Sequence, residues 1–183
     1  MLVFLIGFMG AGKTTAGQLV AQKSGCIFID LDAAIEMKTG KSINELFTVQ
    51  GEEFFRRIEA DTLRELEGTS KAIVAVGGGC ASYGENMEWM NENGNTIYLK
   101  ANLGTLFHRL MPSKKNRPLV ASLTDVQLME YIISKLPQRE KHFCQAHYTV
   151  ETATEQPSVL VVRILETLKK AAAHATIRRT PLP

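Results

Sequence analysis

The sequence predicts an α/β fold in which helices cover both faces of a parallel sheet. Short apolar runs alternate with longer helical patterns, which is typical of successive βαβ units. The stretch at 7–14 reads G-x-x-x-x-G-K-T and directly follows the first apolar run, which is the strand–loop–helix context of a phosphate-binding P-loop. Polar residues and glycines follow two further runs, so a ligand cleft is expected at the carboxyl edge of the sheet.

Five apolar runs are the candidate strands of this sheet. Four of them are short and bounded by polar residues or glycine, as buried parallel strands are: Leu2 to Ile6, Cys26 to Ile29, Lys71 to Val76 and Thr96 to Leu99. His147 to Val150 is a weaker fifth candidate. The crossovers that connect these strands are expected to be right-handed.

The glycine-rich loop supplies the groups that a nucleotide phosphate requires. Gly7, Gly10 and Gly12 allow a sharp backbone turn, whose N–H groups can face phosphate oxygens at the start of a helix near Lys13. Lys13 adds a cation, and the Thr14 hydroxyl suits one position on Mg²⁺. The alternative is a turn that binds nothing, which the flanking strand and helix patterns disfavour.

Two segments depart from simple βαβ crossovers. Leu31 to Gly68 looks helical throughout, is punctuated by Gly40 and Gly51, and contains a capping box that begins at Ser42; it predicts a substrate-binding insert at about 31–68. The segment from about 110 to 123 is polar, basic and without apolar periodicity. It is interpreted as a mobile lid over a polyanion, with a solvated loop as the alternative.

The composition of the chain indicates its domain number and the classes of partner to expect. With 45% hydrophobic residues, the chain is expected to form one domain at 1–175, with a last helix from about 157 to 173 and a frayed tail at 176–183. A net charge of +2 gives no argument for nucleic-acid or membrane binding. Three widely spaced cysteines favour free thiols, and no signal peptide is evident, so a cytoplasmic location is predicted. The protein is expected to be a monomer.

Acidic residues follow the second candidate strand. Asp30 has the position of a strand-end carboxylate that supports Mg²⁺, often through water. Asp32 can orient an acceptor hydroxyl or take its proton. The alternative is that Asp32 only caps the next helix.

Two arginines and three glycines are candidates for acceptor binding. Arg56 and Arg139 could together hold a carboxylate, although the sequence leaves open whether they meet. Arg56 and Glu59 lie three apart on one helical face, for which a surface ion pair is the simpler interpretation. The triplet at 77–79 would let backbone approach a small ligand closely.

Together these stretches resemble the shikimate kinase family, within the nucleoside monophosphate kinase-like group of P-loop proteins. The matching sequences are GFMGAGKT at 7–14, DLD at 30–32, FRRIE at 55–59, GGG at 77–79 and RPL at 117–119. The resemblance implies a three-layer α/β/α fold of the P-loop NTPase type, with a five-stranded parallel sheet of order 2-3-1-4-5. It also implies Mg²⁺-assisted transfer of the ATP γ-phosphate to the 3-hydroxyl of shikimate, on the pathway to chorismate and aromatic amino acids.

The resemblance further implies a role for individual residues. The implied catalytic residues are Lys13, Asp32 and Arg117, and the metal residues are Thr14 and, through water, Asp30. The ATP residues would be Gly10, Ala11, Gly12, Lys13, Thr14, Thr15, Arg109 (stacked on adenine) and the lid residue Arg117. The acceptor residues would be Asp32, Phe55, Arg56, Gly77, Gly78, Gly79 and Arg139.

Three other functions share the P-loop. A kinase for gluconate or a nucleoside monophosphate is disfavoured by the paired arginines and the glycine triplet. A GTPase switch would need N-K-x-D and D-x-x-G stretches, which the sequence lacks. A non-catalytic nucleotide sensor would have no need to retain all four of Lys13, Thr14, Asp32 and Arg117.

Overall fold

The computed structural model describes residues 2–153 and 156–177, which contain a five-stranded parallel sheet of order β2-β3-β1-β4-β5. The strands are Leu2–Ile6 (β1), Ile27–Asp30 (β2), Ala72–Ala75 (β3), Gly94–Ala101 (β4) and Tyr148–Thr152 (β5). The order agrees with the one that the resemblance implies, and all paired strands run parallel.

Burial explains why the sequence reveals β1 clearly and β5 only weakly. Every residue of β1 is buried, because β1 lies between β3 and β4 and has side chains packed on both faces. The edge strand β5 alternates instead, with Thr149 and Glu151 exposed and Val150 and Thr152 buried. This alternation interrupts the apolar run and accounts for the weak signal of the fifth strand.

Eight α-helices are described. They are α1 Lys13–Ser24, α2 Leu31–Thr39, α3 Ile43–Glu45, α4 Glu52–Arg64, α5 Asn86–Asn93, α6 Leu103–Leu110, α7 Asp125–Phe143 and α8 Pro157–Ile177. A π-helical turn, Leu46–Gln50, continues α3, and two 3₁₀ turns occur at Cys80–Ser82 and Met111–Asn116. None of these helices is long and apolar enough to cross a membrane. Residues 178–183 of the predicted tail lie outside the described residues.

The predicted insert at 31–68 is helical but broken into three parts. Gly40 ends α2 with φ at 66°, and Gly51 precedes α4 with φ at 82°, so both glycines occupy the left-handed half of backbone space. Ser42 and Glu45 form the expected capping box at the start of α3. Because α2 packs on α4 and α3 contacts α2, the insert folds back on itself as a compact helical cluster.

The predicted lid at 110–123 is anchored at both ends. Leu110 and Val120 are fully buried in the core, and Lys114 forms an ion pair with Asp125 at 2.6 Å. Between these anchors, Ser113, Lys114 and Arg117 are partly exposed. The segment is therefore a structured arm that is held to the rest of the domain at both ends.

Candidate active site

The P-loop has the backbone geometry that its glycines predict. Gly10 and Gly12 have φ values of 82° and 95°, which side-chain-bearing residues rarely adopt. Gly12 is the residue before α1, so the loop leads directly into the helix that starts at Lys13. The Lys13 ammonium donates hydrogen bonds to the carbonyls of Gly7 at 2.9 Å and Phe8 at 3.1 Å. The cation therefore lies along the loop, where it can meet phosphate oxygens.

A cavity of about 430 Å³ opens in front of this loop. Its lining unites most of the residues predicted to bind nucleotide or metal: Gly10, Gly12, Lys13, Thr14, Thr15, Asp30, Arg109 and Arg117. Ala11 is the exception, because it is fully buried and its N–H donates to the carbonyl of Phe8 at 3.1 Å. Thr152, Pro157 and Leu160 complete the far wall, which the sequence did not predict.

Arg109 holds the P-loop against the end of β5. Its Nη1 donates to the carbonyls of Gly10 and Ala11, both at 3.3 Å, and to the Thr152 hydroxyl at 3.2 Å. Its Nη2 donates to the carbonyl of Ala153. The guanidinium thus forms part of the cavity wall, and its stacking on adenine stays a prediction.

Asp30 links the metal candidates to the next helix. The Thr14 hydroxyl donates to Asp30 Oδ2 at 2.8 Å, while Oδ1 accepts from the backbone N–H groups of Asp32 at 3.1 Å and Ala33 at 3.4 Å. Asp30 is therefore the N-cap of α2, and the alternative in which Asp32 caps this helix is wrong. The capping role fixes the Asp30 carboxylate beside Thr14.

These oxygen donors fit Mg²⁺. The ion usually takes one or two protein oxygens and completes its shell with water and phosphate oxygens, so a hydroxyl beside one carboxylate is a sufficient protein contribution. Within residues 2–153 and 156–177, no group of three or more His, Cys, Asp or Glu side chains could form an all-protein metal site.

Asp32 lies where the nucleotide cavity meets a second cavity, because it lines both. Its carboxylate accepts no hydrogen bond from the described residues, so its oxygens are available to a ligand. Burial, and then the charge of Asp30, raise the pKa of Asp32, while Lys13, Arg56 and Arg117 oppose that shift. Asp32 therefore lies beside three cationic side chains at the junction of the cavities.

The second cavity, of about 350 Å³, unites the residues predicted to bind the acceptor. Its lining includes Asp32, Phe55, Arg56, Gly77, Gly78, Gly79, Arg117 and Arg139. The question that the sequence left open is thereby answered, since Arg56 and Arg139 border one pocket. Arg117 borders both cavities, and burial lowers its pKa against the opposing effect of Asp32.

Arg56 and Arg139 are each held by neighbours. Arg56 is buried, donates to Glu59 Oε2 at 2.7 Å and to Glu52 Oε1 at 3.1 Å, and lies 5.2 Å from the centre of the Phe55 ring. Arg139 donates to the carbonyl of Gly78 at 3.3 Å and lies over the Phe8 ring at 5.2 Å. Fixed, planar guanidinium groups are well suited to bind a carboxylate.

The glycine triplet makes room for the buried Arg56–Glu59 pair. A Cβ on Gly77 would come within 2.1 Å of Glu59 Oε1, and one on Gly79 within 2.5 Å of Arg56 Nη2. A Cβ on Gly78 would come within 3.0 Å of the backbone nitrogen of Met9. Three consecutive glycines are needed because a Cβ at each position would collide with a different neighbour: Glu59, Met9 or Arg56.

Sequence reasoning missed several residues of the acceptor cavity. A surface ion pair with Arg56 was the simpler alternative for Glu59. The ion pair is present at 2.7 Å, but Glu59 is fully buried, so the surface position is wrong. The sequence feature that could have indicated a role for Glu59 is its position one helical turn after Arg56, a residue already predicted to bind the acceptor. Phe47 stacks on Phe55 with ring centres 4.5 Å apart, and Glu36 and Asn44 also border the pocket. These three lie in the insert, whose packing no local pattern reveals.

Comparisons with known proteins identify relatives of this chain. A sequence model of a family described as shikimate kinase matches residues 9–169. A shikimate kinase of Bacteroides thetaiotaomicron is 41% identical over 146 residues, which cover 80% of this chain and 83% of the relative.

Solved structures extend the similarity to the whole fold. A crystal structure of shikimate kinase from Bacteroides thetaiotaomicron has a TM-score of 0.86 at 38% identity, covering 92% of this chain and 98% of its own. A structure described as shikimate kinase from Acinetobacter baumannii in complex with shikimate also scores 0.86, at 33% identity, with 93% of each chain covered.

Proposed function

The chain belongs to the shikimate kinase family, and we propose that its two adjoining cavities hold ATP and shikimate at the positions described above. The protein is an ATP-dependent kinase that transfers the γ-phosphate to the 3-hydroxyl of shikimate, giving 3-phosphoshikimate and ADP. In this step the acceptor oxygen forms a bond to phosphorus, the bond from phosphorus to the β-phosphate oxygen breaks, and the hydroxyl proton leaves.

The observation that carries the assignment of the cavities is the position of Asp32 and Arg117. Both residues line the nucleotide cavity and the acceptor cavity, so a group that passes from one cavity to the other passes beside them. Asp32 orients the acceptor hydroxyl or takes its proton. Arg117 stabilises the negative charge of the transferred phosphate. Lys13 and the P-loop N–H groups hold the phosphates on the donor side.

Mg²⁺ accompanies ATP in this proposal. Thr14 and Asp30, which are hydrogen-bonded to each other at 2.8 Å, would hold the ion directly or through water. When bound, Mg²⁺ neutralises charge on the phosphates as the bond to the leaving ADP breaks. Phosphoryl transfer of this kind depends mainly on positioning and electrostatics, so the protein's part is to hold both substrates in line.

The domain arrangement completes the proposal. Residues 1–175 act as one kinase domain, in which the insert at about 31–68 carries much of the acceptor site and the arm at about 110–123 is the lid. Cys26, Cys80 and Cys144 are free thiols, which suits the reducing cytoplasm. A monomer is sufficient, because one chain supplies residues to every part of both cavities.

The function is tested by measuring ADP release with a panel of acceptors. Shikimate should support turnover well above background, while gluconate and AMP, the acceptors of the rival kinases, should not. Turnover with gluconate or AMP and none with shikimate would contradict the proposal.

The arginine pair provides a sharper test of the acceptor site. Lysine in place of Arg56 or Arg139 keeps a positive charge but loses the planar fork that binds a carboxylate through two hydrogen bonds. We expect the KM for shikimate to rise by about 10-fold or more, the scale of one lost charged hydrogen bond, with the KM for ATP little changed. Steady-state kinetics measure both, and Arg57→Lys, on the exposed side of α4, is the matched control. A rise in the KM for ATP alone would assign the pair to the nucleotide site.

Closure of the lid should appear in amide hydrogen exchange. The buried anchors Leu110 and Val120 are expected to be protected with or without ligands, because they belong to the core. The amides around Arg117 should become protected only when nucleotide and shikimate are both bound. Equal exchange around Arg117 in the free and ternary states would make this segment a static arm.

A further inference from the structure

Glu59 is a fully buried carboxylate directly beneath the acceptor cavity. Its Oε2 accepts a hydrogen bond from Arg56 at 2.7 Å. Its Oε1 has no hydrogen-bond partner among the described residues and faces Gly77, whose missing Cβ would lie within 2.1 Å of it. One oxygen of a buried acid is thus committed to Arg56, and the other is available for a proton.

The inference rests on the proposed function, in which Arg56 holds the substrate carboxylate. In the free protein the Arg56 cation stabilises the charge of Glu59. A bound carboxylate brings a second negative charge to the same guanidinium in a site with little water, and two carboxylates that share one site disfavour each other's ionisation. We propose that Glu59 takes up a proton from solvent when shikimate binds, so that acceptor binding and Glu59 protonation are coupled.

The charges around Glu59 leave it poised for this change. Burial, reinforced by the charge of Asp32 on α2, raises the pKa of Glu59 to about 7, while Arg56 on its own helix and Arg139 on α7 oppose the rise. Burial keeps the pKa of the neighbouring Cys80 thiol well above its usual value, so this group stays neutral.

The sign of the coupling follows from these positions. An added anion raises the pKa of Glu59 above its value of about 7 in the free protein. Between the two pKa values the complex binds more protons than the free protein. Shikimate affinity is therefore greatest below this window and falls as the pH rises through it, by at most about 10-fold per pH unit for one proton.

Calorimetry can count the proton. Shikimate is titrated into the protein at pH 7 to 8 in buffers of different ionisation enthalpy, without nucleotide, so that Lys13 is not perturbed by phosphate. We expect uptake of a substantial fraction of one proton per shikimate bound. No dependence of the binding enthalpy on the buffer, with binding intact, would overturn the coupling.

Three variants assign the proton to its group. Glu59→Gln, which resembles the protonated acid, should abolish uptake and make affinity independent of pH across the window. Glu52→Gln is the matched control, because Glu52 also bonds Arg56 but its side chain is 53% exposed. Uptake should persist in Glu52→Gln. It should also persist in Asp32→Asn, but at lower pH, because the charge of Asp32 no longer raises the pKa of Glu59. Uptake that survives in Glu59→Gln, or that is absent at every pH in Asp32→Asn with shikimate still bound, would overturn the assignment to Glu59.

Two further measurements keep the inference testable. If Glu59→Gln does not fold, infrared difference spectra of the unaltered protein should show the carbonyl band of a protonated carboxyl on shikimate binding, and its absence would contradict the proposal. Arg56→Lys distinguishes failure of the proposed carboxylate site from failure of the proton coupling. Unchanged shikimate affinity in that variant would refute the proposed carboxylate site, whereas weakened affinity in the variant, with no proton uptake by the unaltered protein, would refute only the coupling.

Discussion

Replacement of Lys13 by alanine is expected to lower the turnover number by at least about 100-fold, the scale of losing one preorganised charge at a reacting group. The ammonium lies along the P-loop, within hydrogen-bond distance of the Gly7 and Phe8 carbonyls, and lines the nucleotide cavity. Burial lowers the pKa of Lys13 to about 8, an effect that Asp32 opposes. The anionic phosphates of ATP should raise this pKa again, so the cation is present during transfer.

The fold should survive this substitution, because the hydrophobic core is built from other residues. Thermal unfolding and turnover are measured on Lys13→Ala and on Lys23→Ala, which removes an exposed lysine from the last turn of the same helix. The control should retain the parent turnover. Near-normal turnover in Lys13→Ala would contradict the role given to the P-loop.

The fold could be predicted largely because parallel strands bury both faces. Strands β1 to β4 were visible as short apolar runs, although β4 extends two residues beyond its predicted run at each end. The edge strand β5 alternates, and its predicted run ended at Val150 instead of Thr152. The order of the strands came from the resemblance. Apolar runs alone do not say which strands are neighbours, since that depends on the packing of helices far apart in the chain.

The site was predictable where function requires particular residue types in short motifs. The P-loop and the glycine triplet are such motifs, and both line the cavities as expected, apart from Ala11. The roles of Asp30 and Glu59 in the fold were not predictable. Asp30 caps α2 in place of Asp32, a difference of two residues that depends on where β2 ends. The burial of Glu59 has no local sequence signal, because the glycine turn that packs against it lies at 77–79, in a different part of the chain.

Asp32→Asn is the substitution that separates the chemical role of Asp32 from a structural one. The carboxylate caps no helix and accepts no hydrogen bond from the described residues. Because burial raises the pKa of Asp32, its ionised form is disfavoured in the folded protein, and loss of the charge should leave the melting temperature unchanged or slightly higher. ATP binding should also persist, since the P-loop holds the nucleotide.

Turnover of Asp32→Asn should nevertheless fall by about 100-fold or more, in the range typical of a lost general base, because an amide cannot take up the hydroxyl proton. Asp61→Asn, an exposed change on α4, is the control for a generic loss of one negative charge. Phosphorylation of shikimate by Asp32→Asn at close to the parent rate would show that no protein base is needed. Positioning by Lys13, Arg117 and Mg²⁺ would then be sufficient, as a loose transition state with little bond formation to the acceptor permits.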